Sequence, residues 1–123
     1  NANPASMAAA LDLLAELPGR HVALLGDMRE LGAAATEEHR VLGEHAAATL
    51  DVLLTIGDLA AGAGAHAHAA GLESVRHIES VEVAASALCR ALEPGDVVLV
   101  KGSRALALDA VVAALERGIG LAP

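Results

Sequence analysis

The sequence predicts an α/β domain built on a doubly wound, mostly parallel sheet with helices on both faces. Three observations lead there. Mainly apolar stretches at residues 21–25, 52–56 and 97–100 lack the polar alternation of a strand with one wet face, so both faces should be covered. Each run ends in a glycine-bearing switch: Gly26-Asp27, Gly57-Asp58, or Lys101-Gly102-Ser103-Arg104. The segments between them have helical periodicity and are long enough to cross from one parallel strand to the next. With a short strand read at 75–78, the pattern is Rossmann-like, and 123 residues make one domain with a real core.

Taken in order, Asn1-Ala2-Asn3-Pro4 opens the chain with neither a methionine nor a disordered lead-in, and is read as the start of a piece cut from a longer polypeptide. Pro4 suits the first helical position and Asn3 the cap before it. Met7, Leu11 and Leu14 then recur at helical spacing over 6–17, until Pro18-Gly19 stops the run. The strand at 21–25 leads into a loop over 28–33. A helix over 36–50 follows, with Glu37 and Glu38 in its first turn, where the helix dipole favours acids. Residues 59–70 are alanine-rich but interrupted by Gly62 and Gly64, which predicts a weaker, looser helix. Ser80 is expected to cap a helix running to about Leu92. Pro94-Gly95 turns the chain into the 97–100 strand, whose unbroken apolar run predicts a central place in the sheet. A final helix over 106–117 sets Leu108, Val111, Val112 and Leu115 on one side, and Gly118 and Gly120 end it.

Composition removes several function classes. Phe, Tyr and Trp are absent and the net charge is -8, so there is no stacking platform for bases and the overall charge opposes a phosphate backbone. No nucleic-acid partner is assigned. The single cysteine, Cys89, forbids an internal disulfide, fits a reducing cytoplasmic setting, and is read as a packing residue. No apolar run reaches the roughly 18 residues of a spanning helix, so no membrane partner is assigned.

Open α/β sheets bind ligands beyond the carboxyl ends of their strands. Gly26-Asp27, Gly57-Asp58 and Lys101-Gly102-Ser103-Arg104 should meet at that edge. Lys101 and Arg104, beside the N–H groups of a helix start, would hold a phosphate or carboxylate. The structural alternative is that Ser103 merely caps the helix while the two cations are solvated. Gly26-Asp27-Met28-Arg29-Glu30-Leu31-Gly32 is either a substrate loop or a βα turn in which Asp27 bonds its own backbone. His66 and His68 would face different ways on a helix, and His39 and His45 lie six apart, so no metal site is assigned. Neither G-x-x-x-x-G-K-[ST] nor a G-x-G-x-x-G after the first strand occurs, so the chain lacks its own phosphate-cradling loop. These residues alone lead to a small-ligand α/β domain with an anion site, which includes a free-standing anion-binding module.

Three motifs in register reach further. Asn1-Ala2-Asn3-Pro4-Ala5-Ser6-Met7, Leu25-Gly26-Asp27-Met28-Arg29-Glu30-Leu31-Gly32 and Val98-Leu99-Val100-Lys101-Gly102-Ser103-Arg104 together resemble the C-terminal domain of the Mur ligases, over essentially the whole chain. Within that family the resemblance is to the branch that adds D-Ala-D-Ala to UDP-MurNAc-tripeptide; another Mur-type ligase is the alternative. The resemblance implies a three-domain cytoplasmic enzyme. Its N-terminal domain would hold the UDP-sugar peptide and its central domain the P-loop and Mg2+ sites, while the C-terminal domain closes over ATP and the dipeptide. An isolated C-terminal domain would then be inactive. Carried onto this chain, Asn1 and Asn3 match the hinge motif near the ATP phosphates. Lys101, Ser103 and Arg104 would neutralise the dipeptide carboxylate or developing phosphate charge, and Asp27 would orient the dipeptide amine. Two features depart from the family. The aspartate and tyrosine usual before the first asparagine are not in this sequence, and Ala105-Leu106-Ala107-Leu108-Asp109 replaces a stretch with glycine or serine, methionine and glutamate, where Asp109 would stand in for the acid.

Overall fold

The structure, a computed structural model, describes residues 2–103 and 108–121. Asn3 begins it with a capping box: its Oδ1 accepts from the N–H of Ser6 at 2.9 Å, and its own N–H donates to Ser6 Oγ at 3.1 Å. This satisfies two backbone donors reciprocally at the start of helix α1 (Pro4–Glu16). Met7, Leu11 and Leu14 form its buried stripe. The strands are β1 (His21–Gly26), β2 (Val52–Ile56), β3 (Ser74–Ile78) and β4 (Val97–Lys101). The remaining helices are α2 (Ala35–Thr49), α3 (Asp58–Ala69), α4 (Val81–Ala91) and α5 (Asp109–Leu121), with a short 3-10 turn at Gly32–Ala34 inside the expected loop.

All pairings are parallel and the order is β3-β2-β1-β4. Alternate residues of β1 serve two cores, as the period of two requires. Ala23 and Leu25 pack with α1, α2 and α3, whereas Val22 and Leu24 pack with α4 and α5. The expected doubly wound α/β sheet is therefore present, covered on both faces.

Five local expectations need correction. The final helix, α5, continues through Gly118 and Gly120 to Leu121 instead of ending at 117. β4 lies at an edge of the described sheet, paired with β1, and all five of its residues are only half-buried. Its apolar run has a different cause: Val97 and Leu99 lie against one core, Val98 and Val100 against the other. Unbroken apolarity reports two covered faces and is silent about edges. Cys89 is exposed, because the inward stripe of α4 falls on Ala84, Ala87 and Leu88. Ser80 precedes α4 but makes no side-chain cap; the N–H of Val83 bonds its carbonyl instead, at 3.3 Å. The glycines and alanines of α3 do not loosen it. The helix runs unbroken over Asp58–Ala69, with α2 so close that a Cβ at Gly43 of α2 would overlap the carbonyl oxygen of Ala63, and with Gly64 seated against Thr55 and Val75 of the sheet.

At the amino end of the sheet, Arg20 clamps the turn before β4. Its Nε donates to Asp96 Oδ1 at 2.9 Å, and one Nη donates both to Asp96 Oδ2 at 2.8 Å and to the carbonyl of Ala91 at 2.6 Å. The fork geometry suits a bidentate guanidinium-carboxylate pair. Arg20 thereby holds the Asp96 carboxyl below its ordinary range.

Candidate functional site at the switch point

β1 connects onward to β2 on one side and pairs with β4 on the other, so the strand order reverses between β1 and β4. A crevice at their carboxyl ends is where such sheets take ligands. The N–H of Ser103 donates to the carbonyl of Asp27 at 3.0 Å, which locks the end of β4 to the end of β1. Close approach is possible because two glycines meet there: a Cβ at Gly102 would lie 2.9 Å from the Cα of Gly26.

Asp27 is buried, 5 % exposed. Its Oδ1 accepts from the N–H of Ala60 at 2.7 Å, in the first turn of α3. Gly57 leads into that helix with φ +104 and no capping side chain of its own, so Asp27 supplies the cap from the neighbouring strand. The turn alternative is thus corrected in its partner: the carboxylate reaches another helix rather than its own loop. Gly26-Asp27, Gly57-Asp58 and Lys101-Gly102-Ser103 do converge on one edge.

Lys101 ends β4 opposite Leu25, half-buried. Ser103 is buried, and its Oγ has no hydrogen-bond partner among the described residues. Arg104 and Asn1 lie outside the described residues. Asn3 is exposed, with its side chain engaged in the α1 cap. Among the described residues no group of three or more His, Cys, Asp or Glu side chains is placed to hold a metal ion. His66 and His68 lie exposed on α3.

One residue escaped the sequence reading, which weighed it only as a metal ligand. His39, 2 % exposed, accepts the N–H of Met28 on Nε2 at 3.0 Å, while Nδ1 pairs with the carbonyl of Ala35 at 2.7 Å. It borders a cavity of about 150 Å3 lined also by Thr36, Asp58, Leu59, Gly62 and His66. The usable signal was Met28 itself, an apolar residue amid charges, which is fully buried. Beyond it the loop is on the surface: Arg29 and Glu30 are exposed, and Glu30 has φ +62 in the left-handed region.

Comparisons with known proteins bear on the family and the fold. The family model described as Mur ligase, glutamate ligase domain, matches residues 1–104. The UDP-N-acetylmuramoyl-tripeptide--D-alanyl-D-alanine ligase of Escherichia coli (strain K12) is 38% identical over 117 residues, covering 94% of this chain and 25% of that protein. The like-named protein of Mycobacterium bovis is 42% identical over 139 residues, covering 94% of this chain and 27% of its own. The chain thus spans about a quarter of the length of these relatives. Among solved structures, MurF from Acinetobacter baumannii superposes with a TM-score of 0.80 at 30% identity, over 95% of this chain and 26% of that one. The MurF ligase of Thermotoga maritima, in complex with ADP, gives 0.75 at 29%, over 95% and 26%. With its family model matched over residues 1–104 and its relatives aligned along nearly all of it, the chain belongs to the Mur ligase, glutamate ligase domain family.

Proposed function

We propose that this domain serves a full-length, cytoplasmic, ATP-dependent ligase that adds D-Ala-D-Ala to UDP-MurNAc-tripeptide in peptidoglycan precursor synthesis. The observation that carries the reading is the Ser103-to-Asp27 hydrogen bond at 3.0 Å, which brings the Lys-Gly-Ser and Gly-Asp-Met sequences to one ligand-binding edge. The names of the aligned relatives support it.

In this reaction the terminal carboxylate of the tripeptide attacks the γ-phosphorus of ATP, releasing ADP and forming an acyl phosphate. The dipeptide amine adds to the acyl carbon, and the tetrahedral intermediate collapses to an amide as phosphate leaves and the amine proton is lost. Such chemistry is served by positioning and charge neutralisation more than by a protein nucleophile. Lys101, Ser103 and Arg104 would neutralise the dipeptide carboxylate or the departing phosphate. Asp27 would orient the dipeptide amine; a carboxylate can accept at both oxygens, so the bond to Ala60 does not exhaust it. Asn1 and Asn3 would face the ATP phosphates across the hinge. ATP with Mg2+ is assigned mainly to a central domain of the same chain. The N-terminal domain would hold the UDP-sugar peptide. Domain closure would keep water from the acyl phosphate, and the 123-residue chain alone would not turn over.

The test is ligation by the full-length protein carrying Lys101→Ala or Arg104→Ala, with D-Ala-D-Ala varied at saturating ATP. Loss of a charge-assisted contact should lower kcat/KM for the dipeptide by about 10- to 100-fold. Unchanged kinetics would remove these cations from the site, and no ligation by the unmodified protein would end the ligase reading.

A further inference from the structure

We infer that His39 is the positioning residue of the Gly26–Gly32 loop, holding it in the shape that receives the dipeptide; the part about the dipeptide rests on the ligase reading above. Among the described residues three hydrogen bonds tie the loop where it leaves the sheet, and the partner that is a side chain is His39. The carbonyl of Asp27 is held by Ser103, its carboxylate by Ala60, and the N–H of Met28 by His39. Two residues later the backbone is forced into the left-handed region at Glu30, with φ +62, which a non-glycine residue adopts at a cost when the surroundings impose it. Arg29 and Glu30 are exposed there. The tie nearest this strained tip is the one from Met28 to His39.

The chemistry of that tie requires a neutral imidazole in one tautomer. Nε2 accepts from Met28 and so carries no proton, and Nδ1–H donates to the carbonyl of Ala35 one turn back. Because Met28 and His39 are both fully buried, water does not replace the acceptor when it is removed. A phenyl ring fills the space but leaves the Met28 N–H without a partner. Glutamine, whose Oε1 reaches about as far as Nε2, restores an acceptor.

The experiment uses the full-length protein with His39→Phe and His39→Gln. It combines steady-state ligation, each substrate varied in turn, with amide hydrogen exchange of the peptide spanning residues 26–32. For His39→Phe the expected results are faster exchange in that peptide and about a tenfold rise in the dipeptide KM. The KM values for ATP and UDP-MurNAc-tripeptide should stay within about twofold, and His39→Gln should recover most of both losses. Dipeptide kinetics unchanged in His39→Phe, or all three KM values moving together, would overturn the positioning role. Should the unmodified protein fail to ligate, the ligase reading falls separately and exchange alone decides for His39. Deprotection in His39→Phe with recovery in His39→Gln then supports the hold on the loop, and equal protection in all three proteins refutes it.

Discussion

The carboxylate of Asp27 occupies the space above the Cα of Gly57: a Cβ built at residue 57 would lie 2.6 Å from Asp27 Cγ and 2.8 Å from its Oδ2. The switch from β2 to α3 is therefore closed by the side chain of the residue that follows β1, which makes the glycine a requirement of the site. Gly57 also has φ +104 and ψ 152, a region essentially closed to other residues. Gly57→Ala should lower stability by about 3 kcal/mol, from backbone strain and overpacking together. The measurement is the midpoint of urea denaturation, and a midpoint equal to that of the unmodified chain would show that Asp27 can move aside at no cost.

Replacing Asp27 tests the same contact from the other side. Asp27→Ala leaves the N–H of Ala60 uncapped in a buried helix start and should cost about 1–2 kcal/mol. Asp27→Asn keeps an oxygen that can accept this bond, so it should retain most of the stability. If both substitutions were equally destabilising, the negative charge at the mouth of α3 would matter more than the hydrogen bond.

How far these contacts were legible in the sequence varies with their range. The β2 boundaries, 52–56, and the Asn3 cap with Pro4 behind it follow from local pattern, and the structure has both. The convergence of Gly26-Asp27 with Lys101-Gly102-Ser103 follows from the general rule for parallel sheets. What stayed hidden needed a partner distant in sequence. Asp27 looked like a self-bonding turn residue because nothing local points to Ala60, 33 residues away. His39 looked like a failed metal ligand because helical spacing shows its neighbours on α2 but not the Met28 N–H across the loop. The edge position of β4 was missed because apolarity measures covered faces and does not count paired edges.

At the opposite end of the sheet, the Arg20-Asp96 pair predicts an acid dependence. Hydrogen bonding from Arg20, then from the N–H of Glu93, with the Arg20 charge adding to both, lowers the Asp96 pKa below the ordinary 3.8, against the opposing effect of burial. The unfolded chain, with the ordinary value, binds more protons through that range, so stability rises with pH there. The contribution is whole above the ordinary value and is lost as pH falls through the depressed one. Asp96→Asn should lower the Tm near about pH 7 and flatten its decline below about pH 4. Thermal melts of both proteins across that range check this; parallel curves would mean that other carboxylates set the acid limb.

Two glycines on facing helices predict opposite outcomes for one substitution. A Cβ at Gly43 on α2 would overlap the carbonyl oxygen of Ala63 on α3 and lie 3.1 Å from its carbon and 3.0 Å from His66 Cβ. A backbone carbonyl inside a helix cannot rotate away, so Gly43→Ala must push the two helices apart, at about 2 kcal/mol. Gly62, on α3, has nothing within 4 Å of its virtual Cβ. There alanine gains helix propensity without a clash, and Gly62→Ala should stabilise by up to about 1 kcal/mol. The displacement at Gly43 also reaches the site, because His39 lies one turn earlier on the same face of α2. Separation of α2 from α3 should lengthen the Met28-to-His39 bond and speed amide exchange across residues 26–32 in Gly43→Ala, while Gly62→Ala leaves that exchange slow. If Gly43→Ala destabilised the fold without changing loop exchange, the helix interface and the loop would be independent, and the position of His39 would be set by its own turn through Ala35 alone.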